Sequence, residues 1–424
     1  MKVTLVNTAS DGGGAAIASK RILYALSKTS IDVKLMVREG HKTHAAIVIL
    51  NDKFVKRLFS NIFRFFHRVY EKFFIQKNIF KLAFSINNGG KSLSRNFLIK
   101  QSDIVHINSI TENFISLKEL NNILDLETPI VWTLHDMWAF TGGCHYSGNC
   151  ERFKEICNYC PYLRNPNKHD LSSRIFDKKN EIYKKREITV VTCSNWLKEQ
   201  ALESALFSHF NIVNIPNPIN TDKYRPVDRK DARNRLMLPQ DKQLVLFGAA
   251  NIEDSRKGLS HLIDGLKYLY ENKPMTANDM ELVVFGKCHH NLKALLPYDV
   301  ISMNYISDQN TLIELYSAVD LFVLPSLEDN LPNTIMESMA CGTPVVAYNT
   351  GGIPEMIDHQ VNGFLAEYKS SVDIAEGIYW VLYQSEIEQL RENARKKVLD
   401  NYQESIISKK YIDLYQSLLN TEKA

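Results

Sequence analysis

A chain of 424 residues is too long for one ordinary hydrophobic core, so two domains of roughly 200 residues each are expected. With 45% hydrophobic and 23% charged residues, the composition excludes both a disordered chain and a membrane-spanning one. A net charge of +3 gives no ground for a nucleic-acid partner.

The chain opens with Met1-Lys2-Val3-Thr4-Leu5-Val6, which reads straight into a strand and lacks the charged and apolar regions of a secretory signal. No apolar run approaches the roughly 18 residues of a spanning helix, so a cytoplasmic location is expected. The seven cysteines are then reduced thiols or metal ligands rather than disulfides. Asp11-Gly12-Gly13-Gly14 follows the first strand and precedes a helix. Glycines there let backbone come close to a ligand, and Gly13 and Gly14 are candidate ligand contacts. A tight turn would look the same.

After a strand at Val33 to Val37 comes a basic aromatic stretch. Lysines and arginines at 53, 56, 57, 64, 68, 72, 77 and 81 alternate with phenylalanines from 54 to 80, against the single acid Glu71. Such a stretch, taken as 53–84, fits the surface of an anionic membrane, on the inner face of the cytoplasmic membrane for a cytoplasmic protein. It equally fits an amphipathic helix with phenylalanines in the core.

Strands at Ile104 to Ile107 and Ile130 to Leu134 follow, the second ending in His135-Asp136-Met137-Trp138. A histidine at a strand's carboxyl end faces the place where doubly wound sheets bind ligands, which makes His135 a catalytic candidate with Asp136 as companion. Cys144, Cys150, Cys157 and Cys160 come next. The Cys-x2-Cys at 157 and 160 is half-site spacing for zinc, and a closed four-thiolate site would be structural, leaving no position for substrate. Four free thiols fit as well. Cys193, Cys288 and Cys341 read as packing residues.

One more strand, Thr189 to Thr192, precedes a proline-punctuated linker around Ile215 to Asn220. The series then restarts at Leu244 to Phe247, Leu282 to Phe285, Leu321 to Leu324 and Pro344 to Ala347. Strands alternating with helices indicate α/β architecture: two doubly wound, parallel-sheet, Rossmann-like domains with the active site in the cleft between them. The expected division is 1–211, 212–385 and a charged helical tail 386–424 packing back toward the first domain. No internal repeat is visible.

The strand 321–324 runs into Pro325-Ser326 and then Leu327-Glu328-Asp329-Asn330-Leu331-Pro332-Asn333-Thr334-Ile335-Met336-Glu337. Apolar spacing predicts a helix from Leu331, whose free amides favour an anion such as a diphosphate. Asp329 and Glu337, eight positions apart, would lie roughly 12 Å apart along a helix, about the span from a hexose across a diphosphate to a ribose. Cys341-Gly342-Thr343-Pro344-Val345-Val346 and Gly351-Gly352-Ile353-Pro354-Glu355 follow in close order.

This run resembles the retaining glycosyltransferases of family 4, which have the GT-B fold. The resemblance includes Arg256-Lys257-Gly258 after the strand at 244–247, Gly286 and Asn217-Pro218. It implies that Arg256 and Lys257 neutralise the donor diphosphate and that Glu337 holds the ribose. It makes 1–211 the acceptor-binding domain and 212–385 the nucleotide-sugar-binding domain, and it places His135 near the donor hexose and Gly13, Gly14, Asn330, Leu331, Pro332 and Asn333 along the donor. The first acidic position of the family pattern is Asp329 here, with Glu328 adjacent, so either carboxylate can serve the hexose. The implied reaction moves a sugar from a nucleotide-sugar to a glycan acceptor, such as a lipid-linked polysaccharide or lipopolysaccharide intermediate. Configuration is retained, and neither a protein nucleophile nor a catalytic metal is needed. Rival readings are a nucleotide-sugar epimerase, a glycan phosphorylase, or a non-enzymatic sugar-nucleotide-binding membrane scaffold. No motif marks a phosphorylase's cofactor lysine, and a scaffold would not keep the site residues.

Overall fold

The computed structural model describes residues 1–50, 69, 73–76, 84–184, 186–289 and 291–421. Two compact units emerge, one formed by Met1–Asn217 with Ile407–Ala424, the other by Pro218–Ile406. The division falls inside the expected proline linker, a few residues beyond 211. The tail is shared: the helix Ile387–Asn401 belongs to the second unit, and most of the helix Glu404–Thr421 to the first.

The first unit is a seven-stranded sheet of β1 (Lys2–Ala9), β2 (Asp32–Glu39), β3 (Ile47–Ile49), β4 (Ile104–Ile107), β5 (Ile130–Leu134), β6 (Thr189–Thr192) and β7 (Asn211–Asn214), in the order β3-β2-β1-β4-β5-β6-β7. Every strand pairing is parallel. The central strands β1, β4, β5 and β6 are buried at nearly every position because helices cover both faces, and the polar residues they carry, such as His106 and Thr133, bond to each other inside. Behind β5 an aromatic cluster of Trp132, Phe140, Tyr183, Phe207 and Phe210 packs edge to face.

The second unit has six parallel strands, β8 (Gln243–Asn251), β9 (Met280–Lys287), β10 (Val300–Ser302), β11 (Leu321–Leu324), β12 (Val345–Tyr348) and β13 (Gly363–Ala366), ordered β10-β9-β8-β11-β12-β13. Strand order reverses between β8 and β11, the place where doubly wound sheets bind ligands at the carboxyl ends of their strands. In the first unit the reversal lies between β1 and β4.

No helix among the described residues is long and apolar enough to cross a membrane. The basic aromatic stretch 53–84, expected at a membrane surface, lies outside the described residues apart from 69, 73–76 and 84. Of these, Phe74 and Ile75 pack against the core of the first unit, Phe84 is buried and Phe73 is exposed.

Candidate functional site

In the second unit, the loops after β8 and β11 meet at the reversal of strand order. The chain leaving β8 makes a short 3-10 turn, Ser255–Lys257, started by Asp254, whose carboxylate accepts from the Arg256 amide at 3.1 Å. Gly258 closes that turn with φ +73°, a left-handed conformation, and starts the helix Leu259–Asn272. A Cβ on Gly258 would stand 1.9 Å from the Pro325 carbonyl, so only glycine lets the two loops approach this closely. Leu327 N–H donating to the Arg256 carbonyl at 2.7 Å ties the loops together.

That approach brings Lys257 Nζ to 2.5 Å from Asp329 Oδ2, which also accepts from Ser326 Oγ at 3.3 Å. The ion pair joins two sites 72 positions apart in the chain. Arg256 is oriented by Asp254, with Nη2 2.5 Å from Oδ2. The glycine pair at 351–352 seals the far side: Gly352 N–H donates to the Asp329 carbonyl at 3.3 Å, and a Cβ on Gly351 would stand 1.9 Å from that oxygen.

The helix expected from Leu331 begins at Asn333, with Pro332 as its cap and no side-chain bond to the first amides. Pro332 has extended backbone, φ −65° and ψ 120°, which holds Glu328, Asp329, Asn330 and Leu331 in the loop. Asp329 is therefore not on the helix, and a helical rise does not measure its separation from Glu337. Glu337 does lie on the helix, 5% exposed, and accepts from the Tyr316 hydroxyl at 3.2 Å. Burial, and then the Glu337 charge beside it, push the Tyr316 phenol far above its usual range, so it stays a donor. Asn330 and Leu331 are buried, and Asn333 is half-buried.

Gly13, Gly14 and His135 belong to the first unit. Gly12 and Gly13 have φ +79° and +107°, and among the described residues nothing lies within 4 Å of a Cβ built on either. These glycines are required by backbone conformation and not by crowding within the unit. Gly14 begins the helix Gly14–Ser27. His135 closes β5, its Nε2 3.1 Å from Asn108 Oδ1 and its Nδ1 3.5 Å from Cys193 Sγ. Burial pulls its pKa down to about 4, against the opposing pull of the Asp136 charge, so the imidazole is neutral near pH 7. Cys193 thus touches a candidate catalytic histidine in addition to packing.

The four cysteines expected either to hold a structural zinc or to be free thiols follow β5. Among the described residues no group of three or more His, Cys, Asp or Glu side chains is placed to hold a metal ion, and Cys144, Cys150, Cys157 and Cys160 are all free. Three of them pack into the core of the first unit. Each of these has its own partners: Cys157 Sγ accepts from Gly142 N–H at 3.2 Å, while Thr141 bonds to Cys144 and Ser172 to Cys160. Burial pushes Cys157 up to about 12 and Cys160 to about 11, which favours the thiol form of each. Lys179 organises this loop, donating to the Trp138 and Thr141 carbonyls with its ammonium 3.8 Å from the centre of the Trp138 ring. Cys341 is buried as expected, whereas Cys288 is only half-buried.

Ser85, Asn108 and His145, which were not among the expected site residues, join His135 and Asp136 in a group of polar residues at β4 and β5. Asp136 Oδ2 lies 2.7 Å from His145 Nδ1, and His145 Nε2 lies 2.9 Å from Ser85 Oγ. Asn108, at the end of β4, completes the group through His135. These residues are up to 60 positions apart, and only a histidine shortly after His-Asp hinted at them.

HepE of Anabaena in complex with UDP and glucose superposes with a TM-score of 0.67 over 98% of this chain and 100% of that one, at 15% identity. The fold is GT-B. Within this GT-B chain, residues 228–397 match the family described as "Glycosyl transferases group 1". That match takes in Arg256, Lys257, Asp329 and Glu337. The chain is 28% identical over 209 residues to the N,N'-diacetylbacillosaminyl-diphospho-undecaprenol alpha-1,3-N-acetylgalactosaminyltransferase of Campylobacter jejuni, covering 47% of this chain and 53% of that protein. It is 22% identical over 231 residues to the UDP-Gal:alpha-D-GlcNAc-diphosphoundecaprenol alpha-1,3-galactosyltransferase of Escherichia coli, covering 52% and 60%. The GT-B chain thus spans little more than half the length of these curated relatives.

Proposed function

We propose that the protein transfers a hexose from a nucleotide-sugar to a lipid-linked glycan intermediate of polysaccharide synthesis, retaining anomeric configuration without a catalytic metal. The observation that carries the reading is the Lys257–Asp329 pair where strand order reverses between β8 and β11. A cation and a carboxylate held together there match the needs of a donor with a diphosphate beside a polyhydroxyl sugar. Lys257 and Arg256 would stabilise charge building on the leaving diphosphate. Asp329 would accept from hexose hydroxyls and Glu337 from the ribose. His135 carries the family's histidine role in this reading, as a neutral imidazole. The acceptor class is taken from the two undecaprenol-linked relatives. Contact of 53–84 with an anionic membrane would serve such an acceptor.

A screen of UDP-, GDP- and dTDP-sugars tests the reading. Hydrolysis or transfer of one donor, with product configuration followed by NMR, is the expected result. Failure of every donor to bind would overturn it, and an inverted product would overturn retention alone.

A further inference from the structure

At the carboxyl ends of β4 and β5 the first unit holds a cavity of about 20 Å³, with Asn108, Thr111, His135, Asp136 and Trp138 in its wall. Such a volume takes one water or one hydroxyl, not a sugar ring. Two of its walls offer complementary polarity. Asn108 is 3% exposed, and its Nδ2 has no hydrogen-bond partner among the described residues while its Oδ1 faces His135. A buried amide donor left unmet carries an uncompensated desolvation cost, which a bound oxygen would relieve.

Asp136 supplies the acceptor. Its side chain is 25% exposed, Oδ2 is engaged by His145 Nδ1 at 2.7 Å, and Oδ1 accepts from Trp138 N–H at 2.9 Å. Each carboxylate oxygen can accept again. Burial alone would favour the neutral acid, but the His145 interaction and the Trp138 amide outweigh it and hold the carboxyl below its usual range. His145 is anchored in turn by Ser85 Oγ at 2.9 Å. The chain Ser85–His145–Asp136 has the order of a hydrolase triad, but its buried serine is not in the cavity wall. The carboxylate is the member that reaches the cavity.

We propose that this cavity seats one hydroxyl of a neutral acceptor sugar, Asn108 Nδ2 donating to its oxygen and Asp136 accepting its hydrogen. His145 and Ser85 are positioning residues that aim the carboxylate. The negative charge of Asp136 selects against a phosphorylated or carboxylated ring at this place. This inference rests on the transferase reading and assigns the acceptor hydroxyl to the first unit.

Three probes test it on the full chain: methyl α-D-glucoside, methyl α-D-galactoside and methyl N-acetyl-α-D-glucosaminide, titrated by saturation-transfer NMR to about 100 mM, a ceiling suited to fragments of this size. UDP binding is measured on the same samples. At least one glycoside should bind the wild type, and N108A and D136N should each weaken it about tenfold, the scale of a hydrogen bond to a charged group. A monodeoxy form of the binding glycoside should lose as much as D136N. H145A should weaken binding, and H145Q, which can still donate to Asp136, should restore most of it; a merely structural role for His145 would give no such rescue. UDP affinity should not change in any of these variants. Wild type that binds UDP but no glycoside, or folded D136N and N108A that bind glycoside as wild type does, would overturn the seat alone. Wild type that binds no nucleotide would instead overturn the proposed function.

Discussion

At the residue scale, Lys257 and Glu337 carry the sharpest expectations. On the proposed reading Lys257→Ala removes a charge that would stabilise the leaving group, and loss of one such contact should lower turnover by about 100-fold or more. Glu337→Ala removes a buried carboxylate and leaves the Tyr316 hydroxyl without this acceptor. It should raise the donor KM about tenfold or more and lower stability by about 1–3 kcal/mol. Steady-state kinetics with the donor found in the screen check both, and full activity in either folded variant refutes the assignment. The sequence leaves Glu328 and Asp329 equivalent, because neighbouring acids in a loop cannot be ranked by spacing. The salt bridge ranks them: Asp329→Asn should cost much more activity than Glu328→Gln. Glu337, by contrast, was legible from motif alone, since its helix position follows from local spacing. Asn108, Ser85 and His145 were not, because their meaning comes from three loops that converge only in the fold.

Buried histidines set the acid response. His106 is fully buried between the Tyr415 hydroxyl at 2.6 Å and Thr133 Oγ1 at 2.7 Å. Burial, and then the neighbouring His135, pull its pKa down to about 3. The unfolded chain, with a histidine pKa near 6.5, therefore binds a proton that the folded chain refuses, and stability falls as pH drops from about 6.5 toward 3. His135, at about 4, adds a loss over the upper part of the same window. Thermal unfolding at a series of pH values should show this slope, and His106→Asn should flatten it. An unchanged slope in that variant would place the acid lability elsewhere.

Among elements, legibility divided by position in the sheet. The nine strands expected from apolar runs are present with small shifts at their ends. The four that escaped notice, β3, β7, β10 and β13, are the edge strands of the two sheets. Edge strands are short and face solvent on one side, so they lack the continuous apolar run that marks a central strand. The turns were less legible than the strands, since a glycine's role depends on what approaches it. Gly258→Ala and Gly12→Ala separate two such roles. Both positions have positive φ, so each substitution carries about 1 kcal/mol of backbone strain. Only at Gly258 would the new methyl also meet a backbone carbonyl. G258A should therefore cost clearly more stability than G12A, and by parting the loops it should also weaken donor binding. Equal unfolding midpoints for the two would show that the 256–258 and 325–327 loops separate at little cost.

At the scale of the whole molecule, the first unit is made of two distant pieces of chain. The helix Glu404–Thr421 brings Tyr411 and Tyr415 into it, both almost fully buried, along with the fully buried Ile407. Their hydroxyls serve groups inside the sheet: Tyr411 meets Thr133 Oγ1 at 3.1 Å and Tyr415 meets His106 Nδ1. Deleting 407–424 would uncover apolar surface worth about 1.5–3 kcal/mol per large side chain. It would also remove those partners from Thr133 and His106, at about 1–3 kcal/mol for each group left unmet. Together these losses reach the roughly 5–15 kcal/mol that stabilises an ordinary domain. The chain ending at residue 406 should therefore lose the cooperative unfolding of its first unit, while the second unit keeps its own transition and the nucleotide binding proposed for it. Limited proteolysis checks the outcome: cuts should concentrate before residue 217 and spare 218–406. Tyr415→Phe is the milder control, removing one hydroxyl and costing about 1–3 kcal/mol. A truncated chain as resistant before residue 217 as the full one would mean that the sheet of the first unit is complete without its returning helix.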